Sequence, residues 1–464
     1  MPTANKTVVL NIVGLTSRLI GERTPFLRNW VQQKQLRTID PVIPAVTCTA
    51  QSTYLTGKYP GEHGIVANGW YFEEEAEVKL WRQSNRLVQS EKIWEAMRRK
   101  NPEFTCANLF WWYNMYSTVD FSVTPRPMYP SDGRKIPDVY TFPSELRDEL
   151  QEELGQFPLF KFWGPATSIE VSQWIAHSAM RVEEKHDPTL TLIYLPHLDY
   201  NAQRHGPDHP SVDQDLREID AVSKELIEFY EARGAEVIVL SEYGITAVDQ
   251  PVHINRVLRE AGHIAVREEL GLEVFDAGAS SAFAMADHQI AHVYVKDKAD
   301  LPRVRALLET VPGIGKILDE AGKAEHHLDH PRAGDLVLLA KPRAWFTYYY
   351  WLDDRKAPDY SRTVDIHRKP GYDPVEMHFN PALRFPKAYA AGKVILRKLG
   401  FRALMDVIPL DADLIKGSHG LRPADRLDWP VLVASSGSGP EGDSLAAHQV
   451  YEVIATHLFS EATQ

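Results

Sequence analysis

The chain has 464 residues, a formal charge of −12 and 44% hydrophobic residues, a globular composition with room for one large domain or two to three smaller ones. The acidic balance argues against non-specific binding to nucleic acid or anionic membranes, although a local site can oppose the global charge. Its two cysteines, Cys48 and Cys106, exclude a disulfide framework and suit a reducing compartment.

The opening MPTANKTVVLNIVG has no charged region followed by a long apolar one, and its run VVLNIV falls far short of a bilayer span. No later segment is long and apolar enough either, so no membrane insertion is expected and the chain reads as cytoplasmic. TVVLNIVG (7–14) reads as a buried strand ending at Gly14. TPFLRNWVQQ (24–33) is a helix announced by Thr24 and Pro25. A strand near 36–46, a helix from about 47 to 56 stopped by Gly57 and a loop to about 88 follow. SEKIWEAMRRK (90–100) is an amphipathic helix opened by Ser90, and TCANLFWW (105–112) a candidate strand.

The middle repeats the alternation. SIEVSQWIAHSAMRVEEK (168–185) is helical, LTLIYLPHLD (190–199) is a buried strand running into polar residues, and 209–234 is a long helix ending at Gly234. AEVIVLSEYG (235–244) is a second apolar strand with a polar end, and VHINRVLREAG (252–262) a helix. Alternating strands and helices predict a mainly parallel sheet covered on both faces, with ligands beyond the carboxyl ends of the strands. Val13-Gly14, Thr47, His197 to Asp199 and Ser241-Glu242-Tyr243 all fall at such ends. Residues 270–390 break the rhythm, with a strand–helix unit at 291–311, a His-rich stretch AEHHLDHPRAGD (324–335), the strand DLVLLAK (335–341) and the aromatic run AWFTYYYWLDD (344–354). The core pattern returns with KGSHGLRP (416–423), the strand WPVLVAS (429–435) and a helix over 444–459. The expected organisation is a core of 1–268 and 390–464 with an inserted cap, 269–389.

A hydroxyl at a helix N-terminus faces unpaired backbone N–H groups and the positive end of the dipole, a setting for attack on phosphate. By itself Thr47 reads as an N-cap. The surrounding run PAVTCTAQSTYLTGKYPGEHGIVANGWY (44–71) shifts that reading. It resembles the nucleophile segment of the type I phosphodiesterase / nucleotide pyrophosphatase family of the alkaline phosphatase superfamily. The resemblance extends over most of the chain, through the 190–210 and 236–244 strand ends, HPRAGDLVLLA (330–340) and GSHG (417–420), and points to a cytoplasmic bacterial branch. It implies an alkaline-phosphatase-like three-layer α/β/α core with a mainly parallel sheet and a smaller cap. It also implies a covalent phospho-threonine mechanism with two divalent metals, zinc first, manganese or magnesium as alternatives. By position, Thr47 matches the nucleophile, Asn68 the asparagine that bonds a phosphate oxygen, Asp199 the aspartate of D-x-x-x-H, and His419 the late metal-binding histidine.

The departures fall on metal ligands. The family's Asp-Gly after the first strand reads Val13-Gly14, with Asn11 two residues earlier. The D-x-x-x-H histidine is Gln203, and the Asp-His pair after the next strand is Glu242-Tyr243. Zinc wants three or four His, Cys or carboxylate ligands, whereas glutamine is a weak neutral donor. Three arrangements remain open: one metal on Asp199, Glu242 and His419, with Gln203 as a further donor; ligation or acid–base work taken over by His63, His197 or His205; or a site that no longer hydrolyses. Cys48 can be an activated thiol or a packing residue. HHLDH (326–330) reads as a metal tract or a structural segment. DIHRKPGYDP (365–374) offers Lys369 as a charge for an anion or is a solvated loop. The clusters Trp70 to Phe72, Trp111 to Tyr113 and Trp345 to Trp351 clamp a flat group or pack the core. The functions in competition are a hydrolase of a small phosphorylated metabolite, a non-hydrolytic binding protein, and a group-transfer enzyme on the same scaffold.

Overall fold

The computed structural model describes residues 4–435 and 439–459. A nine-stranded sheet runs through its centre in the order Ser444–Ala446, Gln35–Asp40, Val431–Ala434, Glu236–Leu240, Thr7–Ile12, Leu190–Leu195, Cys106–Leu109, Phe121–Pro125, Val139–Phe142. All strands run the same way except Val431–Ala434 and Val139–Phe142, which pair antiparallel with their neighbours. Thr7–Ile12 is buried along its whole length because it has a parallel neighbour on each side and helices above and below. Its register sets Asn11 opposite Tyr194 and Leu240, which brings the ends of three strands together.

Helices Glu170–His186 and Pro210–Glu231 pack together on one layer, while Thr47–Thr56, Ile93–Lys100 and Val450–Phe459 pack together on the other. The fold is an alkaline-phosphatase-like three-layer α/β/α architecture. A separate antiparallel sheet, Ala282–Asp287, Ile290–Val295, Leu336–Ala340 and Ile314–Leu318, carries its own apolar cluster from Val248 to Ile415.

Several local expectations change. The helix at 90–100 is Ile93–Lys100, and Ser90 does not open it: the Glu95 carboxylate takes the backbone N–H of Lys92 at 3.0 Å, while Ser90 Oγ bonds the Glu62 carbonyl. The segment 444–459 divides into an edge strand, Ser444–Ala446, and the helix Val450–Phe459, since Ser444 to Ala446 pair with Thr38 to Asp40. The stretch read as a loop before 88 contains a hairpin, Gly69–Phe72 with Glu77–Leu80.

Candidate active site

Thr47 is the first residue of the helix Thr47–Thr56, which ends on Gly57 at φ +66°. The residue before it, Val46, has no side chain to cap the helix; Asn68 does this instead, its Oδ1 accepting the backbone N–H of Cys48 at 3.0 Å. The Thr47 hydroxyl is therefore left for other work. Its Oγ1 lies 3.3 Å from the Tyr243 hydroxyl, which donates to Asp199 Oδ1 at 3.2 Å. Asp199 stands in the first turn of the helix His197–His205, directly after the strand Leu190–Leu195.

The other sequence-selected residues join this cluster. Gln203, one turn on from Asp199, donates to Asp199 Oδ2 at 2.8 Å and accepts from Tyr372 Oη at 2.9 Å. Both ends of its amide are thus engaged, so Gln203 anchors Asp199, and one lone pair of its oxygen is left. His419 donates from Nδ1 to the Ala45 carbonyl at 2.8 Å, which leaves Nε2 as a bare lone pair 4.0 Å from Asp199 Oδ1. Tyr243 lies flat on His419, with ring centroids 3.5 Å apart and planes 5° apart. Glu242 Oε1 accepts two amide donors, Asn11 Nδ2 at 2.6 Å and Gln51 Nε2 at 2.5 Å. Burial pushes the Glu242 carboxyl up to about 8 against those hydrogen bonds and one from Thr47, and pushes Asp199 up to about 6. Val13 is buried and contributes no donor atom. Asp199 is 9% exposed and Thr47 3%, so the cluster opens on the Asp199 side.

Asp287 and His288, which the sequence did not single out, complete the wall. Asn68 donates from its backbone and from Nδ2 to Asp287, and Asp287 Oδ1 accepts Nδ1–H of His288 at 2.7 Å. His288 is sandwiched between Tyr372 and His419, with centroids 3.6 and 3.8 Å away. It occupies the turn between Ala282–Asp287 and Ile290–Val295 at φ +61°, a conformation that favours glycine. Trp81, Trp163 and Trp112 stand beside Tyr372 or one another. A buried Asp-His pair at a hairpin turn, DHQ (287–289), was the available signal.

Other candidates lie apart. His205 is exposed and its ring lies tilted against that of His209, being two residues and about 200° round the helix from Gln203. His63 is buried, accepting Ile65 N–H at Nδ1 and bonding Thr53 Oγ1. His197 faces the helix Pro210–Glu231, where His197, Asp215 and Glu218 form a group with ligand atoms within 4.8 Å of one another; His197 Nε2 bonds Glu218 at 2.9 Å. Cys48 is a buried packing residue whose thiol burial pushes well up. In the His-rich segment, His327 stacks on Tyr59, His330 bonds Gln89, and Arg332 donates to the carbonyls of Gly64 and Leu87. Lys369 is 1% exposed and paired with Asp373 at 2.8 Å and Glu376 at 2.6 Å, so it supplies no charge to an anion. Trp111, Trp345 and Trp351 are core residues.

Among the buried acceptor atoms without a donor are three of this cluster, Asn11 Oδ1, Glu242 Oε2 and His419 Nε2. Asp199 Oδ1 and His419 Nε2, 4.0 Å apart, can share one divalent ion whose shell water or substrate would complete, and an imidazole nitrogen beside a carboxylate suits zinc or manganese. At the two positions where the family resemblance expects ligands of a second ion, Val13 offers no donor atom and the Tyr243 hydroxyl is hydrogen-bonded to Asp199.

Comparison with known proteins gives a consistent family. The profile of the type I phosphodiesterase / nucleotide pyrophosphatase family matches residues 7–373. An uncharacterized pyrophosphatase/phosphodiesterase of Schizosaccharomyces pombe is 27% identical over 228 residues, 47% of this chain and 39% of its own length. Ectonucleotide pyrophosphatase/phosphodiesterase 2 of Saccharomyces cerevisiae is 24% identical over 312 residues, covering 62% of this chain and 53% of the yeast protein. The matched region thus spans about half or less of those relatives. Among solved structures, phosphonoacetate hydrolase from Sinorhizobium meliloti with phosphonoacetate superposes with a TM-score of 0.62 at 14% identity, covering 98% of this chain and 96% of that one. An inactive threonine-to-alanine variant of murine ectonucleotide pyrophosphatase/phosphodiesterase 5 with AMP superposes with a TM-score of 0.59 at 13% identity, covering 99% and 96%.

Proposed function

The chain belongs to the type I phosphodiesterase / nucleotide pyrophosphatase family, and on that premise we propose that it hydrolyses a phosphate or phosphonate ester of a small metabolite, with Thr47 as the nucleophile. The observation that carries the reading is the Thr47 hydroxyl, free of any capping role, at a helix N-terminus beside a carboxylate tuned to about 8. The neighbours support it: one holds phosphonoacetate, and another is inactive as a threonine-to-alanine variant and holds AMP.

Glu242 serves as the general base. Asn11 and Gln51 fix its Oε1, Oε2 is free to accept, and Thr47 lies within its hydrogen-bonding reach. The Thr47 proton passes to Glu242 as Oγ1 bonds to phosphorus and the ester oxygen leaves. Asn68 has a second Nδ2 hydrogen for a phosphate oxygen, its first being held by Asp287. Asp199 and His419 would hold one divalent ion, which when bound supplies positive charge beside the phosphate. Tyr243 steers Asp199 through its hydroxyl and His419 through its ring. His288, oriented by Asp287, presents Nε2 to the water that releases Thr47. The experiment is acid quenching with bis(p-nitrophenyl) phosphate, followed by mass spectrometry. A phosphoryl adduct on Thr47 that vanishes in Thr47→Ala supports the reading; turnover retained in Thr47→Ala rejects it.

A specific observation favours a second reading, ligand binding without turnover. Gln203 and Tyr243 donate to Asp199, and Asn11 and Gln51 donate to Glu242, so neutral side chains hold both carboxylates in a setting that suits retention of a phosphorylated ligand. Saturable binding of a phosphate ester with no product would select it.

A further inference from the structure

Residues 380–407 leave the body of the protein and return, the excursion being closed at its base by Asn380 N–H on the Val407 carbonyl at 2.7 Å. It contains the 13-residue helix Pro386–Lys398, none of whose residues is buried. Ala388, Gly392, Ile395, Leu396 and Leu399 follow a spacing of four, three, one and three, which places them on one side of the helix and its first turn beyond. That side faces water: Ile395 is 57% exposed, Leu396 43% and Leu399 67%, with Phe385 and Phe401 exposed at the two ends.

The polar flank faces inward instead. Tyr389 Oη donates to Asp406 Oδ1 at 3.0 Å, Lys393 pairs with Asp406 at 3.0 Å, and Arg397 Nε donates to the Ala403 carbonyl at 2.7 Å. An amphipathic helix folded with its apolar side outward leaves that side for something outside the chain. Charge narrows the choice. Between Glu376 and Asp406 there is no acidic residue, while Arg384, Lys387, Lys393, Arg397, Lys398 and Arg402 are all basic, in a chain of net charge −12. A second copy docked symmetrically would set these cations against themselves. A short helix with an aromatic-tipped apolar side and flanking cations suits a layer of anionic headgroups over acyl chains.

We propose that residues 384–404 dock on the surface of an anionic lipid membrane, with the helix lying in the interface. The helix is too short to cross a bilayer, and no helix among the described residues is long and apolar enough to do so. The inference rests on this segment alone and is independent of the reading of Thr47.

The test is sedimentation of the full chain with vesicles of phosphatidylcholine alone and of phosphatidylcholine mixed with phosphatidylglycerol. The wild type should bind only the mixed vesicles and release as salt rises. Lys387→Glu with Lys398→Glu should weaken binding by at least about 25-fold, at roughly fivefold per cation removed. Ile395→Gln with Leu399→Gln should abolish it with the melting temperature unchanged, since both side chains are exposed. Wild-type protein left in the supernatant with both vesicles overturns the proposal, as does binding that neither pair of substitutions alters. A dimer seen by light scattering and dissolved by Leu399→Gln, without vesicle binding, would assign the face to a second copy and also overturn it.

Discussion

Asn11 reaches Glu242 from a neighbouring strand, its Nδ2 donating to Glu242 Oε1 at 2.6 Å. In the family pattern this strand end supplies an aspartate, and the carboxylate after the strand Glu236–Leu240 meets a metal. Here the carboxylate meets two neutral amides, and burial holds its proton up to about 8. Two neutral donors stabilise an anion less than a dication does, so the group becomes a base of near-neutral affinity.

The first prediction follows from that tuning. A base works only when deprotonated, so kcat/KM should rise with pH, pass half its limit near pH 8, the value to which Glu242 is pushed, and level off above it. Glu242→Gln keeps the shape and both amide contacts within reach. It should lower kcat by roughly 10² to 10⁴ and remove the rising limb of the profile, while metal binding is unchanged. Loss of metal binding in that variant would make Glu242 a ligand.

His288 gives the second. Its backbone sits at φ +61° in a hairpin turn, and its ring is held by Asp287 between Tyr372 and His419. Glycine relieves the backbone and removes the ring, whereas alanine removes the ring alone. His288→Gly should therefore be more stable than His288→Ala by about 1 kcal/mol, with both variants impaired in turnover. Equal stability of the two would deny the strain; full activity in either would deny the role.

Much of this arrangement was legible in the sequence. The alternation of apolar runs and helices locates the sheet, and Thr47, Asp199, Glu242 and His419 fall at strand ends that the fold does bring together. What was not legible has a common physical cause. Gln203 read as a weak ligand because its spacing from Asp199 is that of a ligand pair, yet a one-turn spacing equally suits a hydrogen bond, and Tyr372, 169 residues away, takes its other end. His288 and Asp287 lie on a turn of the smaller sheet, and nothing local says which way that turn points. Lys369 read as a solvent-facing charge because local sequence does not report burial, while Asp373 and Glu376, four and seven residues on, neutralise it.

That buried cluster supplies the third prediction. Burial opposes the charge on Lys369, but Asp373 and Glu376 more than offset it, and Trp163 Nε1 and the backbone of Asp365 donate to Glu376. Lys369→Met leaves two carboxylates facing each other without a cation. It should cost about 3–5 kcal/mol of stability, measured by urea unfolding. A loss below about 1 kcal/mol would mean that the carboxylates simply take up protons.

The fourth concerns acid. Burial lowers His63 to about 3, and its neutral ring accepts from Ile65 N–H while bonding Thr53. The unfolded chain binds a proton on this residue below about 6.5 and the folded chain does not, so this part of stability is present above pH 6.5 and is lost as pH falls towards 3. His63→Gln removes the titration. Its destabilisation relative to wild type should shrink by about 2 kcal/mol between pH 7 and pH 5. A difference constant with pH would show that His63 charges within the fold.

The most direct test of the account is the number of divalent ions the protein holds. Wild type, stripped and then titrated with manganese in a calorimeter, should take up one ion per chain, with binding lost in both His419→Ala and Asp199→Ala and kept in Glu242→Gln. Two ions per chain, or none, would contradict it.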